Sequence, residues 1–134
     1  MEKLSKILVV DDEPDIREIA SIALERMGGY TVQLCADGPS AIATAAEFQP
    51  QLVLLDMMMP QMDGLQTLDE LRKIPATAEV PIIFVTAKAQ PDELALYKEK
   101  SGADVISKPF DPLVLPAAVQ EIWDNFRAKA LPAD

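Results

Sequence analysis

The stretch Leu52-Val53-Leu54-Leu55-Asp56 places four consecutive apolar residues directly before a carboxylate. A run that is apolar at every position is typical of a strand buried on both faces, as in a parallel sheet. Other apolar or β-branched runs occupy residues 7–10, 32–35 and 82–86, and a weaker run occupies residues 103–107. The sequence therefore predicts five strands.

Helical patterns occupy the segments between and after these runs. Pro14 suits the first turn of a helix, Gly28-Gly29 supplies a stop, and Pro116 fits only a first turn. The predicted helices cover about residues 14–27, 40–48, 64–73, 92–100 and 115–126. This alternation predicts a doubly wound α/β domain, a (βα)5 three-layer sandwich around a five-stranded parallel sheet. We expect one domain over residues 1–128 and a C-terminal tail over residues 129–134.

Composition and charge exclude several classes of function. Twelve Lys and Arg residues against 22 Asp and Glu give a net charge of −10, which repels nucleic acid and anionic membranes. The chain has no His, so zinc sites with His ligands and nucleophiles activated by His are excluded. The single Cys35 fits a reducing cytosol, and no apolar run approaches the ~18–20 residues of a membrane span. We expect a cytoplasmic protein that binds neither nucleic acid nor membrane directly.

Reactive side chains stand where four of the predicted strands end. Asp11 and Asp12 follow the first strand, Asp56 ends the third, Thr86 ends the fourth, and Lys108 follows the fifth. Ligands of open α/β sheets bind at the carboxyl ends of strands, where the strand order reverses. In the strand order 2-1-3-4-5 this point lies between the first and third strands. We therefore expect the three acids to share one crevice, flanked by Thr86 and Lys108.

Such a group of acids needs compensating positive charge. Two carboxylates ~4 Å apart repel each other by ~4 kcal/mol at an effective dielectric constant of ~20. Raised pKa values, a cationic side chain or a bound metal ion would each relieve this repulsion. Lys108 supplies one positive charge, which is too little for three acids. A hard divalent cation supplies the rest, and Mg²⁺ is the natural occupant, with Mn²⁺ a possible one.

Four short motifs, in order, closely resemble the response-regulator receiver domain of two-component signal transduction. They are Val9-Val10-Asp11-Asp12-Glu13, the stretch from Leu54 to Gly64 (LLDMMMPQMDG), Thr86-Ala87 and Lys108-Pro109-Phe110. The resemblance covers about residues 6–126, and it is to a single-domain receiver like the chemotaxis regulators. It implies a flavodoxin-like sheet with the strand order 2-1-3-4-5.

The resemblance also implies a role for each acid. Asp56 would be the phosphoacceptor, because a carboxylate is a recognised nucleophile for forming an acyl phosphate. Asp12 would bind Mg²⁺ directly and Asp11 through water. Asp56 and the backbone carbonyl of Met58 would complete the protein ligands.

Three further residues acquire roles by the same resemblance. Lys108 would pair with the phosphoryl oxygens, and Thr86 would donate a hydrogen bond to the phosphoryl group once it is attached. The Lys108-Pro109 bond resembles the cis peptide of the family, which turns the Lys side chain into the site.

Two positions depart from the family pattern. Val105 stands where many receivers carry an aromatic residue that turns inward on phosphorylation, so this part of the switch is absent or replaced. Met58 stands two residues after the phosphoacceptor, where a polar side chain can help water to attack the acyl phosphate. We therefore expect a comparatively long-lived phosphoryl group.

The function implied is that of a signalling module rather than an enzyme. A histidine kinase or a phosphotransfer protein would supply the phosphoryl group, and the domain would assist only its own phosphorylation and dephosphorylation. Output would pass to a downstream protein through the face formed by the fourth helix, fifth strand and fifth helix.

Other interpretations stay open at this stage. Asp11 and Asp12 also suit a helix N-terminus, Thr86 suits a strand end, and Lys108 suits an exposed surface. A degenerate receiver would keep the fold as a docking module without phosphorylation. An Asp-nucleophile phosphohydrolase is disfavoured because Met58 stands where such enzymes place an acid. A flavodoxin-type electron carrier is disfavoured because the acids after the first strand would repel the phosphate of its flavin.

Overall fold

The sheet of the computed structural model, which describes residues 2–87 and 90–130, has the expected topology. Its strands are all parallel and lie in the order β2-β1-β3-β4-β5. The strands are β1 (Lys6–Val10), β2 (Thr31–Cys35), β3 (Leu52–Asp56), β4 (Ile82–Thr86) and β5 (Val105–Ser107). The predicted α/β fold class and the strand order 2-1-3-4-5 are confirmed.

Within the described residues, five α-helices connect and follow these strands. They are α1 (Pro14–Ile22), α2 (Gly38–Phe48), α3 (Gly64–Leu71), α4 (Pro91–Ser101) and α5 (Leu115–Ala130). Two features were not expected: a π-helical turn over Ala23–Met27 continues α1, and a 3-10 turn over Pro75–Thr77 precedes β4. The predicted tail begins inside α5, which runs to Ala130, and its residues 131–134 lie outside the described part of the chain.

Burial separates the central strands from the edges of the sheet. Every residue of β3 and β4 is buried, and so are four of the five residues of β1. The expectation of strands buried on both faces is wrong for β2 and β5, which are largely half-buried or exposed. They are the two edges of the sheet, where one side of the strand has no neighbour to cover it.

Two apolar layers cover the faces of the sheet. On one face Ile7, Val9 and Ile83 pack with Leu24 of the π-helical turn and Val119 of α5. On the other face residues of β1, β3 and β4 pack against α2 and α3, and Tyr97 of α4 joins this layer. The helices thus cover both faces of the central strands, and the carboxyl ends of these parallel strands lie at one edge of the molecule.

Helix α4 is attached mainly at its C-terminal end. Ser101 is the fully covered residue of this helix, and its carbonyl accepts a hydrogen bond from Arg72 Nη2 at 3.1 Å. Gly102 ends the helix in the left-handed conformation with φ 71°. Along the middle of the helix the ring of Tyr97 packs edge-on against Phe84, with 5.9 Å between ring centroids. The rest of the helix is largely exposed.

The start of α3 fixes the loop that follows β3. Asp63 and Gln66 form a reciprocal capping box, with both hydrogen bonds 2.9 Å long. Gly64 N donates a hydrogen bond to Met57 O at 2.8 Å, which closes the loop onto β3. A Cβ atom on Gly64 would lie 2.8 Å from the backbone oxygen of Asp56, so only glycine allows this close approach.

No helix within residues 2–87 and 90–130 combines the length and the apolar content that crossing a membrane requires.

Gly64→Ala is expected to lower the free energy of unfolding by about 2 kcal/mol, because the added methyl group meets backbone that cannot move cheaply. Urea unfolding followed by circular dichroism measures the loss. Glu70→Ala is the matched control on α3, because its ion pair with Lys73 is solvent-exposed and contributes at most about 0.5 kcal/mol. Equal stability of Gly64→Ala and the wild type would contradict the packing described here.

Candidate functional site

Four carboxylates meet at the carboxyl edge of the sheet. One carboxylate oxygen from each of Asp11, Asp12, Glu13 and Asp56 lies within 4.8 Å of the others. Asp11 and Asp56 are buried, Asp12 is half-buried and Glu13 is exposed. The structure therefore brings together the three acids that the sequence placed in one crevice, and adds a fourth.

Lys108 supplies positive charge to this cluster from the loop after β5. Its Nζ lies 2.8 Å from Asp11 Oδ2, 3.3 Å from Asp56 Oδ1 and 3.3 Å from Glu13 Oε1. Burial alone would lower the pKa of Lys108, but the hydrogen bond and charge of Asp11 and the charges of Asp56 and Glu13 raise it above its usual value. The ammonium group is therefore held in its charged form.

Asp56, the last residue of β3, carries a buried carboxylate whose charge is only partly compensated. Its Oδ1 accepts a hydrogen bond from Met58 N at 3.3 Å and contacts Lys108. Its Oδ2 is buried, and no donor in the described part of the chain hydrogen-bonds to it. Burial, and then the charge of Asp11, raise the pKa of Asp56 to about 7, against the opposing charge of Lys108. A cation bound beside Asp56 would therefore stabilise the charged form of this carboxylate.

Thr86 is the buried last residue of β4, the strand beside β3. Its carbonyl accepts a hydrogen bond from Lys108 N at 2.9 Å, so the Thr86 and Lys108 backbones are joined. Because alternate residues of a strand share one face, Thr86 lies on the same face as Phe84. Phe84 in turn contacts the Tyr97 ring of α4.

The remaining predicted positions surround the site. The Lys108-Pro109 peptide bond is cis. Met58 follows β3 with an exposed side chain. Val105 is half-buried in β5 and pairs with Phe84. It joins the apolar layer that also contains Phe84 of β4 and Tyr97 of α4.

Two residues near the site were not assigned by the sequence analysis. Glu13 joins the acidic cluster and shares Lys108. Arg17 of α1 donates a hydrogen bond from Nη1 to the backbone oxygen of Asp11 at 2.7 Å, which ties the loop after β1 to the helix. Glu13, the N-cap of α1, and Arg17 are four residues apart. This spacing is the sequence signal that would have placed both residues on one side of the helix.

The donor set of the cluster fits a hard divalent cation. The available ligands are carboxylate and carbonyl oxygens, which Mg²⁺ prefers, and a buried carboxylate oxygen of Asp56 lacks a donor. Lys108 offsets one negative charge of four. The acidic cluster of Asp11, Asp12, Glu13 and Asp56 thus fits a magnesium site.

Comparisons with known families give the class of the protein. The model of the response regulator receiver domain matches residues 7–120. The chain belongs to this family: it is a receiver domain of the response regulators of two-component systems, a family of regulatory domains that generally bind Mg²⁺.

Curated relatives and solved structures are similar over most of this chain. The DNA-binding dual master transcriptional regulator RpaA of Synechocystis is 36% identical over 119 residues, which are 89% of this chain and 49% of that protein. The DNA-binding response regulator MtrA of Mycolicibacterium smegmatis is 39% identical over 115 residues, which are 86% of this chain and 49% of that protein. The chain thus spans about half the length of these relatives. The structure of the Vibrio cholerae chemotaxis protein CheY4 superimposes with a TM-score of 0.81 at 30% identity, covering 90% of this chain and 99% of CheY4.

Asp56→Asn is expected to stabilise the metal-free protein, and to do so more as the pH rises from about 5 to about 8. The pKa of Asp56 is raised on folding, so its favourable contribution is complete below the unfolded pKa and is lost as the pH rises through about 7. Asparagine avoids that loss, which amounts to roughly 2 kcal/mol at the upper pH. Urea unfolding in a chelator at both pH values measures the difference.

The control is Asp69→Asn, which removes an exposed carboxylate from α3. Its stability should follow that of the wild type at both pH values. If Asp56→Asn is no more stable than the wild type at the upper pH, the electrostatic account of Asp56 is wrong.

Proposed function

We propose that Asp56 accepts a phosphoryl group from a histidine kinase or a phosphotransfer protein. The observation that supports this most is the buried Asp56 Oδ2, which has no hydrogen-bond donor within the described residues and faces a cluster of acids. A carboxylate oxygen without a partner is free to act as a nucleophile. The proposal assigns the chemistry to the one acid that is buried at the end of the central strand β3.

Phosphoryl transfer requires positioning and charge neutralisation more than covalent machinery. Asp11, Asp12, Asp56 and the backbone carbonyl of Met58 would hold Mg²⁺, with Mn²⁺ as a substitute. When bound, the cation offsets the negative charge that gathers between the acids and the incoming phosphoryl group. Arg17 fixes the backbone of Asp11, so the acids of the loop after β1 keep their positions.

Lys108 and Thr86 complete the proposed site. The Lys108 ammonium group lies 3.3 Å from Asp56 Oδ1 and pairs with the phosphoryl oxygens once the group is attached. The hydroxyl of Thr86, at the end of the neighbouring strand, donates a hydrogen bond to the same group. Both residues thus respond to the charge that phosphorylation adds.

The proposed output surface is the face formed by α4, β5 and α5. Phe84 lies two residues before Thr86 on the same face of β4 and contacts Tyr97, so a shift of Thr86 would reach α4 through β4 and the Phe84–Tyr97 contact. Leu96 is exposed on α4 and offers an apolar contact to a downstream protein. Leu113 and Val114 are exposed in the loop between β5 and α5, and they would offer an apolar contact to the phosphodonor.

The relatives RpaA and MtrA are named as DNA-binding proteins, and each is about twice as long as the matched segment. We infer that this chain itself does not contact nucleic acid, because its net charge of −10 opposes binding to phosphates. Its signal would pass through protein contacts. The domain boundary at residue 128 and the cytoplasmic location stay predictions.

Incubation with a small phosphodonor and Mg²⁺ should add the mass of one phosphoryl group to the wild-type chain. Asp56→Asn should abolish the added mass, and a chelator should suppress it, because Asp56 is the nucleophile and the acids need a cation. Intact-protein mass spectrometry measures both effects.

Asp69→Asn serves as the control, since its carboxylate is exposed on α3. An unchanged mass in the wild type under conditions that label another receiver, or equal labelling of Asp56→Asn, would refute the proposed function.

Met58→Asn is expected to shorten the lifetime of the phosphoryl group by roughly fivefold, the effect of one added hydrogen bond to the attacking water. A thioether accepts hydrogen bonds weakly, whereas an amide donates and accepts them. Mass spectrometry of the labelled protein after removal of the donor gives the lifetime. A variant that keeps its phosphoryl group as long as the wild type does would contradict the role given to Met58.

A further inference from the structure

We propose that the Met58 thioether is an oxidation site whose sulfoxide shortens the lifetime of the phosphoryl group on Asp56. The inference rests on the proposed function, because it needs an acyl phosphate at Asp56. It extends that function by coupling the duration of the signal to peroxide-class oxidants.

Exposure distinguishes Met58 from its neighbours in sequence. The residue is 74% exposed, whereas Met57 is 3% exposed and Met59 is 8% exposed. Met57 and Met59 belong to the apolar layer under α2 and α3. Oxidation of methionine requires that the oxidant reach the sulfur, so Met58 is the most accessible thioether of this loop, in which Met62 is half-buried.

The Met58 side chain belongs to a residue that is hydrogen-bonded directly to the proposed phosphoacceptor. Met58 N donates a hydrogen bond to Asp56 Oδ1 at 3.3 Å, so the residue is anchored against the phosphoacceptor while its side chain lies in solvent. The buried parts of the site are occupied by Asp11, Lys108 and Thr86. Water that attacks a phosphoryl group on Asp56 must enter from the solvent side, where the Met58 side chain lies.

The chemical step is a two-electron oxygen transfer. The sulfur attacks one oxygen of hydrogen peroxide, a sulfur–oxygen bond forms, the oxygen–oxygen bond breaks, and the second oxygen leaves as water after proton transfer. Sulfur is oxidised and peroxide is reduced. The product is polar, and methionine sulfoxide reductases reverse the step.

Oxidation to the sulfoxide changes how strongly the Met58 side chain binds water. A thioether accepts hydrogen bonds weakly, but a sulfoxide oxygen is a strong acceptor that can hold and orient a water molecule. The methionine side chain rotates about three bonds, so its end can reach over the neighbouring carboxylate. We expect the rate of phosphoryl loss to rise roughly fivefold, the effect of one hydrogen bond to the attacking water.

The test uses the full chain with and without hydrogen peroxide. Peptide mass spectrometry locates the oxidised methionines, and intact-mass measurements after labelling with a small phosphodonor and Mg²⁺ give the phosphoryl lifetime. Wild type, Met58→Leu and Met27→Leu are each compared with their own untreated samples. Met27 is the matched control, because it is 51% exposed and ends the π-helical turn that precedes β2, away from the carboxyl ends of the strands.

Peroxide is expected to shorten the lifetime in the wild type and in Met27→Leu but not in Met58→Leu. Treatment with a sulfoxide reductase should restore the wild-type lifetime, and untreated Met58→Gln should approach the oxidised one. The inference is overturned if Met58 stays reduced while Met27 is oxidised, if the lifetime is unchanged, or if Met58→Leu responds equally. Absence of labelling at Asp56 before any oxidation would instead overturn the proposed function.

Discussion

The ammonium group of Lys108 lies between carboxylates from two separate parts of the chain, Asp11 and Glu13 after β1 and Asp56 at the end of β3. Its single charge is shared among all of them, and one buried oxygen of Asp56 has no hydrogen-bond donor within the described residues. Much of the surrounding architecture serves this arrangement. The parallel sheet aligns the strand ends, Gly64 allows the loop after β3 to close, and Arg17 holds the loop after β1.

The central part of this architecture could be predicted from the sequence. The fully apolar runs of β1, β3 and β4 mark buried parallel strands, and the order of strands then brings Asp11, Asp12, Asp56, Thr86 and Lys108 to one edge. These inferences depend on burial, which a run of apolar residues indicates, and on topology, which the alternation of strands and helices indicates. The motifs add the identity of the family, because they recur at the predicted strand ends.

Other features depend on long-range contacts that a local pattern does not express. The exposed edges of β2 and β5 follow from their position in the sheet, and not from their own residues. The link from Arg17 to Asp11 O and the place of Glu13 beside Lys108 require the three-dimensional turn of the loop after β1. The contact between Tyr97 of α4 and Phe84 of β4 likewise depends on how α4 packs against the sheet.

The way α4 is attached determines how much buried surface must be disrupted if a change at Asp56 is to move this helix. Its C-terminal end is pinned by Ser101 and Arg72, and its middle rests on one edge-on aromatic contact. Reorienting the N-terminal half of the helix would therefore disrupt little buried surface. The attached C-terminal end would keep its position next to β5. If phosphorylation displaces the end of β4, this attachment would let the N-terminal half of α4 move further than the strand end itself.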